Sequence, residues 1–482
     1  MGVTPFTFIL LPLCVFWIAS PANLLKLVFV FAVFEAAAAF TFGSLGVQPG
    51  LVPALAFIGF MLVQILLGAK FPGQSQVWHV ARPFVVVTAW AVVSSYLMPT
   101  VFEGTVFVWP QKSTPPFALT PLAWNPGNFN QDMYLIIDCA FFLLSAMYLR
   151  SRLVLSSVIR FYFLSGFLVA AVAFWQFGSK MAGLPYPDSM FYSNPGVAIL
   201  TEQTMGALPR INGPFTEPAA LASYMLSIVC ATGWAMLQGH RDSMLRWLFG
   251  AGLLTIVLST SATGFAVLAI VGAGLPVYAL ASGSVRTMSA ILKVSLPFIF
   301  IIGSLSATAS MFVPDFNKNV QVIYDATVNK QDSSSYDERS SADLDSLAAA
   351  VDSYGLGAGW GSNRSSSLVP GLLAQIGLPG CAGLLWFASV LTRQVRKARR
   401  LQCPREHLLV MDACCGGLVG FLLPAVLSAP TINSVTFFFL LALLIACATR
   451  VVGQSQAGPA YRPGVAGPGH VQASRPHPYP AI

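Results

Sequence analysis

The feature that most tightly bounds the fold of this chain is a series of continuous apolar runs, each near 20 residues long, as at 155–178 and 263–281. A run of that length crosses a bilayer as one helix. In lipid every backbone N–H and C=O needs a partner within the protein, which leaves helices or a closed barrel. The runs lack the period-two alternation of barrel strands. Only 9% of the 482 residues are charged, against about 25% in a soluble domain. The expected fold class is therefore all-α, a polytopic integral membrane helical bundle.

Thirteen spans are expected, near 5–20, 22–42, 51–69, 81–101, 132–149, 155–178, 217–238, 244–261, 263–281, 289–312, 371–392, 408–428 and 432–450. The first is short, but it lacks a basic leading region and a small-residue cleavage site, so it reads as mature structure. The range is about 11–13 transmembrane helices. Arginine and lysine in short loops mark the cytoplasmic side. Arg150, Arg152, Arg160, Arg241, Arg246, Arg286, Lys293 and the run from Arg393 to Arg405 all fall on one side of this span order. Nineteen of the 26 basic residues then lie inside. The net charge of +8 is thus a topology signal, and nucleic acid is not an expected partner.

Residues 1–452 read as one transmembrane domain. The tail at 453–482, rich in Pro, Gly, Gln, Ser and His, reads as disordered and cytoplasmic. Seven of the eight cysteines sit in expected spans and Cys403 in a cytoplasmic loop, so no disulfide framework is expected. No CxxC or Cys/His cluster suggests a metal site, and no cofactor is expected.

Three outer loops are long, at about 102–131, 179–216 and 313–370. Long loops in a compact protein are usually functional or disordered. In the third, 332–341 reads as polar and turn-prone. Leu344, Leu347, Ala348 and Val351 then fall at helical spacing, predicting an amphipathic helix over 342–351 that lies flat on the outer face. Ser340 or Ser341 would cap it, with Arg339 near its start. The alternating glycines Gly355, Gly357, Gly359 and Gly361 follow, and free N–H groups in such a loop can form an anion-binding concavity.

Arg210, Arg339 and Arg364 lie on this outer side, with Glu217 just ahead of the helix that begins at Pro218. A guanidinium fork matches phosphate and stays charged. Arginines beside the bilayer suit a lipid-linked diphosphate. Plainer roles are open for each: Arg210 as an interfacial anchor, Arg339 paired with Asp337, Glu338 or Asp343, Arg364 solvated, and Glu217 as a helix N-terminal acid.

Arg210-x-x-Gly213-x-Phe215-x-Glu217-Pro218, leading into Ala220-Leu221-Ala222-Ser223-Tyr224, resembles the O-antigen ligase/polymerase superfamily. So do the small-residue turn Leu258–Gly264 and a large late loop whose arginine and glycine-rich stretch run into Leu373–Gly380. The resemblance covers roughly 200–395 and implies a GT-C-like fold in a bacterial inner membrane. It implies a glycosyltransferase, its site facing the periplasm, that uses undecaprenyl-diphosphate-linked oligosaccharide. By motif, Arg210 and Arg339 match arginines taken to bind the donor diphosphate, and Arg364 a position seen in some exopolysaccharide polymerases. A chain-length regulator and a flippase of the same pathway, and membrane lipid, are the implied partners.

The chain departs from the ligases in one respect. Where many carry a His-Asn pair and a later Glu, Ser366, Ser367 and Gln375 stand here. That favours polymerisation over ligation and leaves Glu217 as the candidate base, with Asp337, Glu338 and Asp343 as alternatives. Glu217, Arg210 and Arg339 are the expected catalytic residues. Tyr192, Phe215, Tyr324, Tyr336, Tyr354 and Trp360 are aromatics in the right loops for sugar contact or for packing, with Tyr336 and Trp360 taken as substrate-binding. Transport of a lipid-linked oligosaccharide is the reading from another class. It would place ionisable groups mid-span, where Glu35, Asp138 and Asp412 are the main ones.

Overall fold

The computed structural model describes residues 2–43, 45–110, 119–205, 208–283, 285–312, 318, 321, 334–429 and 434–456. In chain order its helices are α1 (Pro5–Phe16), α2 (Pro21–Phe31), α3 (Leu51–Leu66), α4 (Gln74–Val101), α5 (Pro126–Ser151), α6 (Leu155–Ala182) and α7 (Asp188–Phe191). There follow α8 (Pro218–Leu237), α9 (Ser243–Ser259), α10 (Ala262–Ala281), α11 (Val285–Phe312), α12 (Ser334–Asp352), α13 (Leu368–Arg399), α14 (Arg405–Ser428) and α15 (Val435–Gln456). Among the described residues eight helices, α4, α5, α6, α8, α10, α13, α14 and α15, are long and apolar enough to cross a membrane. The helices α1, α2, α3 and α9 are apolar but shorter.

Each expected span falls on a helix, with one substantial correction. The span drawn over 22–42 stops at Phe31. Beyond it the backbone finds partners in the second long loop instead of in a helix: Ala36 N–H donates to Pro214 O and Asn194 N–H to Ala36 O. The chain then returns as a small antiparallel sheet of Gly2–Val3, Phe40–Phe42 and Leu45–Val47. Glu35 sits in that non-helical stretch, outside any spanning helix.

The core is built around α15, which is buried without interruption from Thr436 to Thr449 among α2, α4, α5, α6, α13 and α14. Its sequence from Phe437 to Cys447 is apolar on every face, as a helix enclosed on all sides requires. Phe439 stacks on Phe29 of α2 with ring centroids 4.2 Å apart. The helices α8 and α14 approach through glycines: a Cβ on Gly420 would lie 2.5 Å from Leu226 O and 2.6 Å from Ser227 Cα. Gly416, one turn earlier, faces Ala231 Cα in the same way. This small-residue spacing is how membrane helices pack backbone to backbone.

The bundle has two unlike ends. Arg150 donates to Pro72 O and Arg450 to Arg152 O at the end that carries the short basic loops. The long loops gather at the other end, where Trp109 N–H donates to Asn363 Oδ1 and Trp109 Nε1 to Asp345 Oδ2. The tail drawn from 453 is helical to Gln456, and 457–482 lie outside the described residues.

Candidate functional site

The site residues meet where the second long loop enters α8. Strands Thr204–Met205 and Leu208–Pro209 pair as a short hairpin that delivers Arg210. From there the chain is clamped by one polar side chain of α6. Gln176 Oε1 accepts the N–H groups of Asn212 and Gly213 at 2.9 and 2.8 Å. Its Nε2 donates to Asn212 Oδ1 at 2.7 Å and to the Tyr192 hydroxyl at 2.6 Å. One turn along, Lys180 Nζ donates to the carbonyls of Arg210 and Thr201. Buried Asn212 closes the turn by donating to Phe215 O. These bonds brace the backbone turn between Arg210 and Glu217.

Glu217 is the N-cap residue of α8, with Pro218 in the first turn. Its carboxylate makes no capping hydrogen bond, so it is left for other work while still lying at the positive end of the helix dipole. Arg210 is half-buried, and its Nε is sealed from solvent with no hydrogen-bond partner. Burial pushes the Arg210 pKa down; Glu217 opposes that shift and Arg339 adds to it. Both therefore lie within electrostatic reach of its guanidinium. Arg339 arrives from α12, on the far side of the chain, and forms no ion pair with Asp337, Glu338 or Asp343. Tyr336, three residues earlier, shares its helix face and is exposed.

A further carboxylate completes the group. Glu35 is half-buried. Burial first, and then the neighbouring Glu217, push its pKa from 4.5 up to about 7. Sequence reading noted Glu35 only as a charge inside a span and passed over Gln176 and Lys180. The signal was available in each case, since a polar side chain in an apolar run needs a partner or a function.

The other expected residues are placed differently. The helix drawn over 342–351 begins at Ser334, so Arg339 and Tyr336 are helical, and 340–341 do not cap it. Its buried side is Ser346, Ala349 and Ala350, small enough to lie close to the protein; Leu344 and Val351 are 64% and 74% exposed. Asp343, an alternative base, is engaged at the start of α13. Its carboxylate already accepts the N–H groups of Ser366 and Ser367 and the Ser367 hydroxyl, fixing the start of α13.

The glycine-rich loop is not an open anion concavity either. The helix α13 breaks at Gly377, where φ is 64°, and the loop lies in the break. Ala358 N–H donates to Ala374 O, Gly359 N–H to Gln375 O and Gly361 N–H to Gln375 Oε1. Gly357 N–H goes to Ser353 Oγ, and Leu378 N–H returns to Gly355 O. Glycine is required because a Cβ at 357 would meet Gln375 O at 2.9 Å and one at 359 Ser94 O at 2.6 Å, both residues at positive φ.

Trp360 is buried against Val87, Ala91 and Ile376, so its ring is packing in this structure, with Nε1 unpartnered. Phe215 is likewise buried, against Tyr224, and Tyr192 belongs to the clamp. Tyr354 is exposed; Tyr324 lies outside the described residues. Arg364 is exposed, its backbone N–H held by Trp109 O. The Ser259–Gly264 turn packs beside α8 one turn past Glu217, a Cβ on Gly264 meeting Ala222 Cβ at 3.1 Å.

Among the described residues no group of three or more His, Cys, Asp or Glu stands ready to hold a metal ion. Compared with known proteins, the chain matches no protein-family model and no curated protein sequence.

Proposed function

We propose that this chain is a membrane glycosyltransferase that polymerises lipid-diphosphate-linked oligosaccharide repeat units at its long-loop end. One observation carries the reading: Arg210, ahead of α8, and Arg339, on α12, lie within electrostatic reach of one another and of Glu217, and Arg210 Nε is sealed without a partner. Two guanidinium groups against one carboxylate leave a surplus positive charge in a half-buried site, and a diphosphate offsets it.

In the reaction an acceptor sugar hydroxyl attacks the anomeric carbon of the donor. The bond from that carbon to the diphosphate oxygen breaks, and its electron pair leaves with the diphosphate. Fixed guanidinium groups stabilise the charge as it develops. Glu217 takes the hydroxyl proton as general base. Glu35, its neighbour with a pKa near 7, is poised to receive that proton and pass it to solvent.

The test is reconstitution of the purified protein with a lipid-diphosphate-linked repeat unit from its host, in EDTA. A glycan ladder on a gel is expected, and it should vanish in Arg339→Ala. No ladder, but transfer of glycan to an added lipid or protein acceptor, would make the chain a ligase. Movement of the lipid-linked sugar across vesicles with no new glycosidic bond would make it a transporter.

A further inference from the structure

At the opposite end of the bundle a cavity of about 670 Å³ opens between α8, α9, α10, α11 and α14. Its wall is almost wholly apolar, and Arg399, from the end of α13, is its one charged lining residue. Arg399 pairs with Asp412, which is 3% exposed, and the other oxygen of Asp412 lies 3.0 Å from His240 Nε2. Burial, then Arg399, then Arg405, push the His240 pKa down, so both arginines stand close to it. Residues 393–412, which supply that charged end, carry six basic side chains against two acidic ones, Glu406 and Asp412. A guanidinium carries five N–H donors, more than one carboxylate oxygen can use.

We propose that this cavity holds one anionic phospholipid from the leaflet at the basic end, with an acyl chain along Leu253, Leu268 and Val419 and the phosphate against Arg399. Shape and charge select this occupant. The volume suits a single extended chain, and a phosphate offsets the surplus positive charge where juxtamembrane arginines meet anionic headgroups. The proposed donor lipid does not fit, because its diphosphate belongs at Arg210, ahead of the first turn of α8. The cavity wall instead includes Met236 and Leu237, at the last turn of that 20-residue helix.

Native mass spectrometry of the detergent-purified chain, followed by melting with added phosphatidylglycerol or phosphatidylcholine of equal chain length, tests this. The wild type should retain phosphatidylglycerol and bind it roughly five- to ten-fold more tightly than phosphatidylcholine. Leu268→Trp or Val419→Trp, which fill the cavity, should lose the retained lipid. Arg399→Gln with Asp412→Asn, which removes both charges together, should keep binding but lose the preference. Retention of no lipid by the wild type overturns the proposal. So does equal response to the two lipids, or undiminished retention in both tryptophan variants that elute as the wild type does.

Discussion

The proposed reaction rests at the residue scale on Arg210, Glu217 and Glu35. Glu35 gives the most direct handle on it, because its pKa lies near 7 where an ordinary carboxyl sits at 4.5. The folded chain therefore holds the Glu35 proton more tightly than the unfolded chain. Below about 4.5 both states are protonated and nothing is lost; from there to about 7 the unfolded chain gives up the proton while the folded chain keeps it, so stability falls, and above 7 the fold carries the charge. Glu35→Gln should flatten the fall, so that melting in detergent at pH 8 comes at a higher temperature than for the wild type. If Glu35 also relays the proton, the same variant should lose turnover on the alkaline side of the profile. Glu217→Gln should cost more, roughly 10²- to 10⁴-fold in turnover, with folding unchanged because its carboxylate caps nothing.

Elements were legible to the degree that lipid dictates them. Apolar runs of bilayer length can only be helices, so the positions of α4, α5, α6, α8, α10, α13, α14 and α15 followed from sequence. The end of α2 at Phe31 did not, because nothing local distinguishes Phe34-Glu35-Ala36 from more helix; the backbone is drawn off by Pro214 and Asn194, distant in sequence. The break in α13 was hidden for a similar reason. A glycine followed by a proline inside an apolar run is tolerated in spanning helices when other groups take up the freed hydrogen bonds. Here the glycine-rich loop and the Trp90 indole, which donates to Ile376 O, take them up.

Two substitutions separate these structural roles from chemistry. Gly420→Leu forces the backbones of α8 and α14 apart and should destabilise the chain by about 1–3 kcal/mol, seen as a lower melting temperature. Gln176→Leu removes four hydrogen bonds, three to the 210–213 turn and one to the Tyr192 hydroxyl. It should lower turnover more than substrate affinity, since Arg210 stays present but loses its fixed position.

As a whole, the chain is a two-ended membrane bundle. Short basic loops occupy one end and long, mutually packed loops the other. That polarity was readable from where arginine and lysine fall. The grouping of the site was readable only in part. Arg210, Glu217 and Arg339 were marked by residue type, yet their convergence depends on where α12 is held, against α13 and the Phe107–Val108 strand. Trp360, expected to contact substrate, is packed instead against the α4 core.

The central claim is that Arg210 and Arg339 hold one diphosphate between them, and a double-mutant cycle on polymerisation rate reads this out. Arg210→Ala, Arg339→Ala and the double variant are compared with the wild type in reconstituted membranes. Each single change should abolish most activity, and the double variant should be little worse than either, a coupling of about 1–3 kcal/mol. Losses that simply add, or a single variant with wild-type rate, would mean that the two arginines do not share a substrate.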